Sequence, residues 1–238
     1  MNKSVLIIKG YSKTATELSN DEKIIQLYVD FFSSNAGGVF EPTTEIFYLS
    51  EPSLEDLKKT TSLNSKDYLI VVLVGHGAHK DGSQIFQLQK DVFISPGQIQ
   101  FSCPKQLHII ESCRNKIDFD LDIKRINKLI LKYKYGGWVK RPLTKQESLE
   151  KFNQAIESSN DGIAYLFACD IDETAYNYYF LQLMVDVAIY AHEYFRDNIY
   201  YSSEIFDTTK KNVINATKGI QNPLKMGTGD FPFVITII

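Results

Sequence analysis

The sequence predicts an α/β protein built on a mostly parallel sheet with helices on both faces. Three observations carry that expectation. Short apolar, β-branched runs alternate along the chain with amphipathic segments of helical period. The clearest run, Tyr68 to Val74, is apolar without alternation, as in a strand buried on both faces. The chain has 238 residues, 44% of them hydrophobic, and no repeat, low-complexity tract or long linker divides it. That suits one sizeable core, so a single domain over residues 1–238 is expected.

Taken in order, residues 4–10 predict a buried strand ending at a glycine, and 20–34 a helix capped by Asn20. Ile24, Leu27, Val29 and Phe32 supply much of the apolar surface of that helix. Residues 44–50 read as a second strand, after which Ser53 caps a short helix with Asp56 three residues on. Residues 67–74 form the third strand. A small hairpin then pairs Gln84–Leu88 with Val92–Ser95, and Leu107–Glu111 is a fourth strand introduced by Pro104. Segment 123–135 has apolar residues at helical spacing and breaks at Gly136-Gly137. Residues 146–158 form a helix, 162–168 a fifth strand, 173–196 a long helix, and Ser202 to about Lys218 another. Phe231–Ile237 closes the chain as a final strand.

Composition removes several functions. The longest apolar stretch is too short to span a bilayer, and the N-terminus lacks a secretory pattern, so the cytoplasm is the expected location and no membrane partner is expected. Cys103, Cys113 and Cys169 form no C-x-x-C pair, and the four histidines lie far from zinc spacing. No disulfide framework and no metal are expected, and the odd count leaves at least one free thiol. The net charge of −3 argues against a nucleic-acid partner. It conceals seven basic residues and no acid between Lys124 and Arg141, which leave the rest of the chain at −10. The glycine-rich phosphate-binding patterns G-x-x-x-x-G-K-S/T and G-x-G-x-x-G are both absent.

Chemistry gathers at two strand ends. The third strand ends Val74-Gly75-His76-Gly77 and the fourth ends Glu111-Ser112-Cys113-Arg114. In open parallel sheets, ligands bind outside the carboxyl ends of the strands. If these strands are neighbours about 5 Å apart, a thiol and an imidazole reach one substrate carbonyl from two sides. That pair suits acyl transfer: Cys113 attacks, His76 handles the proton of the leaving amine, and the amides of Gly77 and Cys113 bind the oxyanion.

These residues resemble the caspase-like cysteine peptidases. The resemblance rests on Leu69 to Gly77 and on Pro104 to Arg114. It continues through Leu166 to Cys169 with Asp172 to Ala175, which look like the fifth-strand loop of metacaspases and their bacterial relatives. Gln221 to Pro223 and Gly229 to Phe233 are similar to the family's C-terminal strand. It implies a caspase-like three-layer sandwich on a mostly parallel six-stranded sheet, and endopeptidase activity with no cofactor. It also implies a role in regulated cell death or antiphage defence. Metacaspases place Asp two residues before the nucleophile and His-Ser-Gly after it, and caspases place Gln there with Arg-Gly after. This chain has Glu111 and Arg114-Asn115.

By the same resemblance, Glu111 and Asp172 line the pocket for the residue before the scissile bond, which favours Arg or Lys. Either acid has a plainer reading: Glu111 capping the turn after its strand, Asp172 capping helix 173–196. The basic segment near 123–145 falls where the family keeps its activation loop. Lys124-Arg125 and Lys140-Arg141 are then candidate self-cleavage sites, cut after Arg125 and Arg141. The same charges suit an anionic or nucleotide activator, a protein activator, or simply a solvated helix face. Cys103 and Cys169 read as buried apolar residues, His108 and His192 as core or surface groups, and His79 as a surface residue. The competing functional class is a catalytically idle caspase-like module, a sensor or scaffold that binds a nucleotide or protein partner.

Overall fold

The computed structural model describes residues 1–80, 83–111, 142–170, 173, 175, 178–195 and 199–236, without the side chains of residues 79, 80 and 83. Five parallel strands form the centre: β1 (Lys3–Lys9), β2 (Ile46–Ser50), β3 (Tyr68–Val74), β7 (Lys105–Glu111) and β8 (Gly162–Phe167). With the antiparallel edge strand β10 (Leu224–Gly227) they make a six-stranded sheet in the order β10-β8-β7-β3-β1-β2. The strand direction in which the sheet grows reverses between β1 and β3, and at such a switch point the connections diverge and open a crevice. The register aligns the carboxyl ends. Ser50 lies beside Lys9, Lys9 beside Val74, and Val74 beside Glu111.

One face of the sheet is covered by α1 (Ala15–Ser33), α3 (Lys145–Ser158), α4 (Tyr179–Tyr194) and α5 (Ser202–Ala216). Val72, Val74, Leu107 and Ile109 pack there against Ile24, Tyr28, Phe32, Leu181 and Met184. The other face carries the short α2 (Leu54–Lys59), a 3₁₀ turn over Thr60–Ser65 and a three-stranded antiparallel sheet. That sheet consists of β4 (Gly77–Lys80), β5 (Ser83–Gln89) and β6 (Val92–Ile94). Leu69, Val71, Leu73 and Ile110 bury themselves against Phe86, Leu88 and Ile94 on this side. Successive residues of the central strands thus serve opposite layers, which is why these strands read as unbroken apolar runs.

Four expectations need correction. The first helix starts at Ala15 rather than at residue 20, with Thr14 as its cap and Asn20 inside it. The hairpin gains a third strand, β4, immediately after His76. Residues 173 and 175 are not helical, and α4 begins only at Tyr179, after Tyr178 in a left-handed conformation (φ 64°). The final strand, β11 (Pro232–Ile235), pairs with β9 (Ile199–Tyr201) rather than joining the main sheet, whose sixth strand is β10. The Ser53 capping box is present as expected, with Ser53 and Asp56 bonding reciprocally.

Candidate active site

His76 stands two residues past the end of β3, at the switch point of the sheet. Its backbone is held from β5: the Gln87 N–H donates to the His76 carbonyl at 2.8 Å, and the Gln87 carbonyl accepts from the Tyr11 N–H at 3.1 Å. This brings the loop after β1 against the histidine turn. Two glycines make the approach possible. A Cβ on Gly75 would lie 3.0 Å from the Cα of Gly10 and from the Phe86 ring, and one on Gly10 would lie 2.3 Å from the Gln87 carbonyl oxygen. The glycine before His76 therefore serves close backbone packing. Gly77, on the other side, opens β4 opposite Phe86.

The imidazole is largely buried, and its Nε2 lies 3.0 Å from Oε2 of Glu17 in the first turn of α1. The same carboxylate oxygen accepts from the Lys13 N–H at 2.7 Å, and Thr14 Oγ1 accepts from the Glu17 N–H at 3.2 Å. One turn on, the buried Asp21 accepts from Ser12 Oγ at 2.6 Å and from the Tyr178 hydroxyl. Lys9 Nζ, at the end of β1, contacts Ser12 Oγ at 3.1 Å and Glu51 at 2.9 Å. The loop between β1 and α1 is thus tied down on three sides. Sequence reasoning missed Glu17. The available signal was the capping-box spacing of Thr14 and Glu17, which marks a helix start.

Glu111 ends β7 beside Val74 and is fully buried. Leu107, Ile109 and Glu111 alternate onto the face covered by α1 and α4, and the carboxylate adds to burial in raising the Tyr28 phenol well above its usual pKa. Cys113, Asp172, Arg125 and Arg141 lie outside the described residues, as does all of 112–141, and so does the side chain of His79. α4 begins at Tyr179, with Tyr178 at its cap position.

The other thiols are buried and engaged. Cys103 Sγ donates to the Lys105 carbonyl at 3.2 Å, and burial pushes its pKa up to about 11. Cys169 Sγ donates to the Glu173 carbonyl at 3.6 Å. His108 lies fully buried in mid-strand against the Tyr165 ring. Half-buried His192 bonds through Nδ1 to the Ile235 carbonyl. Among the described residues, no cluster of His, Cys, Asp and Glu is arranged to hold a metal ion, and no helix is long and apolar enough to cross a membrane.

Among solved structures, the Drosophila initiator caspase Dronc superposes with a TM-score of 0.52, covering 93% of this chain and 77% of that one at 12% sequence identity. The fold is caspase-like. No protein-family model matches the chain, and no curated protein matches it. At this identity the likeness concerns architecture, and activity has to be argued from the residues themselves.

Proposed function

We propose that this chain is a cysteine endopeptidase in which Cys113 is the nucleophile and His76 the proton donor to the leaving amine. One observation carries the reading. β3 and β7 are hydrogen-bonded parallel neighbours with Val74 opposite Glu111, and His76 and Cys113 each follow those partners by two residues. Adjacent strands lie about 4.8 Å apart, and two residues span at most about 7 Å. That register supports a thiol and an imidazole that start from one edge at one level acting on a single amide.

In the proposed reaction the Cys113 thiol passes its proton to the His76 imidazole as its sulfur attacks the carbonyl carbon, and the oxyanion is received by the amides of Gly77 and Cys113. The C–N bond breaks as the imidazolium of His76 gives its proton to the amine. Water, deprotonated by the neutral imidazole, then hydrolyses the thioester and frees the thiol. No cofactor enters. Asp172 and Glu111 select Arg or Lys before the scissile bond, Glu111 from the buried end of β7. Self-processing falls after Arg125 in preference to Arg141, because Arg141 precedes Pro142, whose nitrogen has no hydrogen to offer an extended binding cleft. The basic segment is the place where a protein or anionic activator acts, and regulated cell death or antiphage defence is the setting the resemblance implies.

Profiling a peptide library with the purified protein, with and without cell extract, tests this directly. Cleavage after Arg or Lys that disappears in Cys113→Ala and His76→Ala is the expected result. Faster cleavage after Asp would overturn the specificity. Uncut peptides under every condition would favour the idle binding module instead.

A further inference from the structure

The contact between α1 and the histidine turn goes beyond the two-residue reading. We infer that Glu17 is the positioning carboxylate of His76, fixing the tautomer and orientation of the ring through Nε2 and leaving proton transfer to Nδ1. The inference rests on the peptidase reading for its catalytic meaning, and on the described contact for its geometry.

The contact is built rather than incidental. An exposed ion pair between flexible side chains holds little orientation and contributes little. Here both partners are mostly shielded from water, with side chains 11% (His76) and 17% (Glu17) exposed. Neither backbone is loose: His76 is pinned by Gln87, and Glu17 sits in a helical turn capped by Thr14. The carboxylate is steadied by the Lys13 N–H on the same oxygen that meets the imidazole. It also lies at the amino end of a 19-residue helix, where exposed N–H groups favour a negative charge. One turn further, Asp21 with Ser12 and Tyr178 fixes α1 against the loop that carries this turn.

The chemistry follows from that placement. A carboxylate accepting from Nε2–H selects the tautomer in which Nδ1 exchanges the proton, and a nearby negative charge favours the imidazolium needed to protonate the amine. Glu17 meets Nε2 of His76, so in this reading it is a positioning residue that acts through the imidazole. Glu17→Gln keeps an acceptor oxygen of similar shape and removes the charge, whereas Glu17→Asp keeps the charge and shortens the reach.

Two measurements test the inference. In steady-state kinetics on the best Arg or Lys peptide, Glu17→Gln should lower kcat on the order of 10²-fold, within the range of positioned acid–base groups, with KM little changed. Glu17→Asp should recover part of the loss, and the limb of the pH profile set by His76 should move to lower pH in Glu17→Gln. Ring ¹⁵N spectra of His76 read the pairing whether or not any peptide is cut. The wild type should show a proton on Nε2 at neutral pH and an imidazolium that persists to higher pH than in Glu17→Gln. Unchanged kcat and pH profile in Glu17→Gln, or a His76 titration indifferent to it, would overturn the inference. A protein that cuts nothing but shows the expected ¹⁵N pairing supports the contact and overturns the peptidase reading, so the two failures are distinct.

Discussion

His76 and His108 are both buried, and their surroundings separate them. His76 faces a carboxylate at the sheet edge, whereas His108 lies in the middle of β7 against the Tyr165 ring, with Nε2 3.3 Å from Gln106 Oε1. Burial pushes the pKa of His108 down to about 3, so it is neutral wherever the protein works. The sign of the consequence is fixed. The unfolded chain, titrating near 6.5, takes up a proton before the folded one does, so stability present above that pH is lost as pH falls towards 3. Thermal melts from pH 7 to pH 4 should therefore decline less steeply in His108→Leu than in the wild type, by at most about 1.4 kcal/mol per pH unit at 25 °C. Parallel pH slopes in the two proteins would contradict the assignment. Residue type predicted the buried roles of Cys103 and Cys169, whereas His108 was open between core and surface until the fold placed it in mid-strand. Residue type could not supply Glu17, whose partner is 59 positions away.

At the scale of elements, the site depends on β1, β3 and β5 meeting at Gly10, Gly75 and Phe86. A methyl group on Gly75 pushes against the backbone of Gly10 and the Phe86 ring, and neither is the loose end of a flexible chain. Gly75→Ala should destabilise the fold by about 1–3 kcal/mol, as overpacking does, and should lower peptidase activity by more than that loss explains. Denaturant melts and kinetics on the folded fraction separate the two effects; full activity with unchanged stability would contradict this packing. Strands buried on both faces were legible because continuous apolar runs leave few alternatives. Helix starts were less so. The first turn of α1 contributes no core residue, so its apolar period begins only at Ile24. Tyr178 reads as one more helical aromatic, and only its left-handed backbone shows that α4 begins after it. β10 is four residues long and partly exposed, and nothing in Leu224 to Gly227 marks it as the sixth strand.

For the whole molecule, the order of the parallel strands determines what can react. Reversal of the winding between β1 and β3 places α1, with Glu17, beside the end of β3, and puts β7 on the other side. A carboxylate, an imidazole and the chain leading to a thiol thus come from three successive neighbours along one edge. This arrangement was foreseeable in outline, since strand alternation gives a parallel sheet and parallel sheets bind at their carboxyl ends. The hairpin and the short helix capped by Ser53 were legible, but that both lie on the second face among the described residues, with β4 added, was not, because short strands and turns there carry little periodicity. The central claim is that Cys113 is activated by His76, and site-mapped labelling with a peptidyl electrophile ending in Arg tests it most directly. One modified thiol, Cys113, with labelling lost in His76→Ala while Cys103 and Cys169 stay unmodified, is the predicted result. Equal labelling of Cys113 with and without His76, or preferential labelling of either buried cysteine, would contradict it.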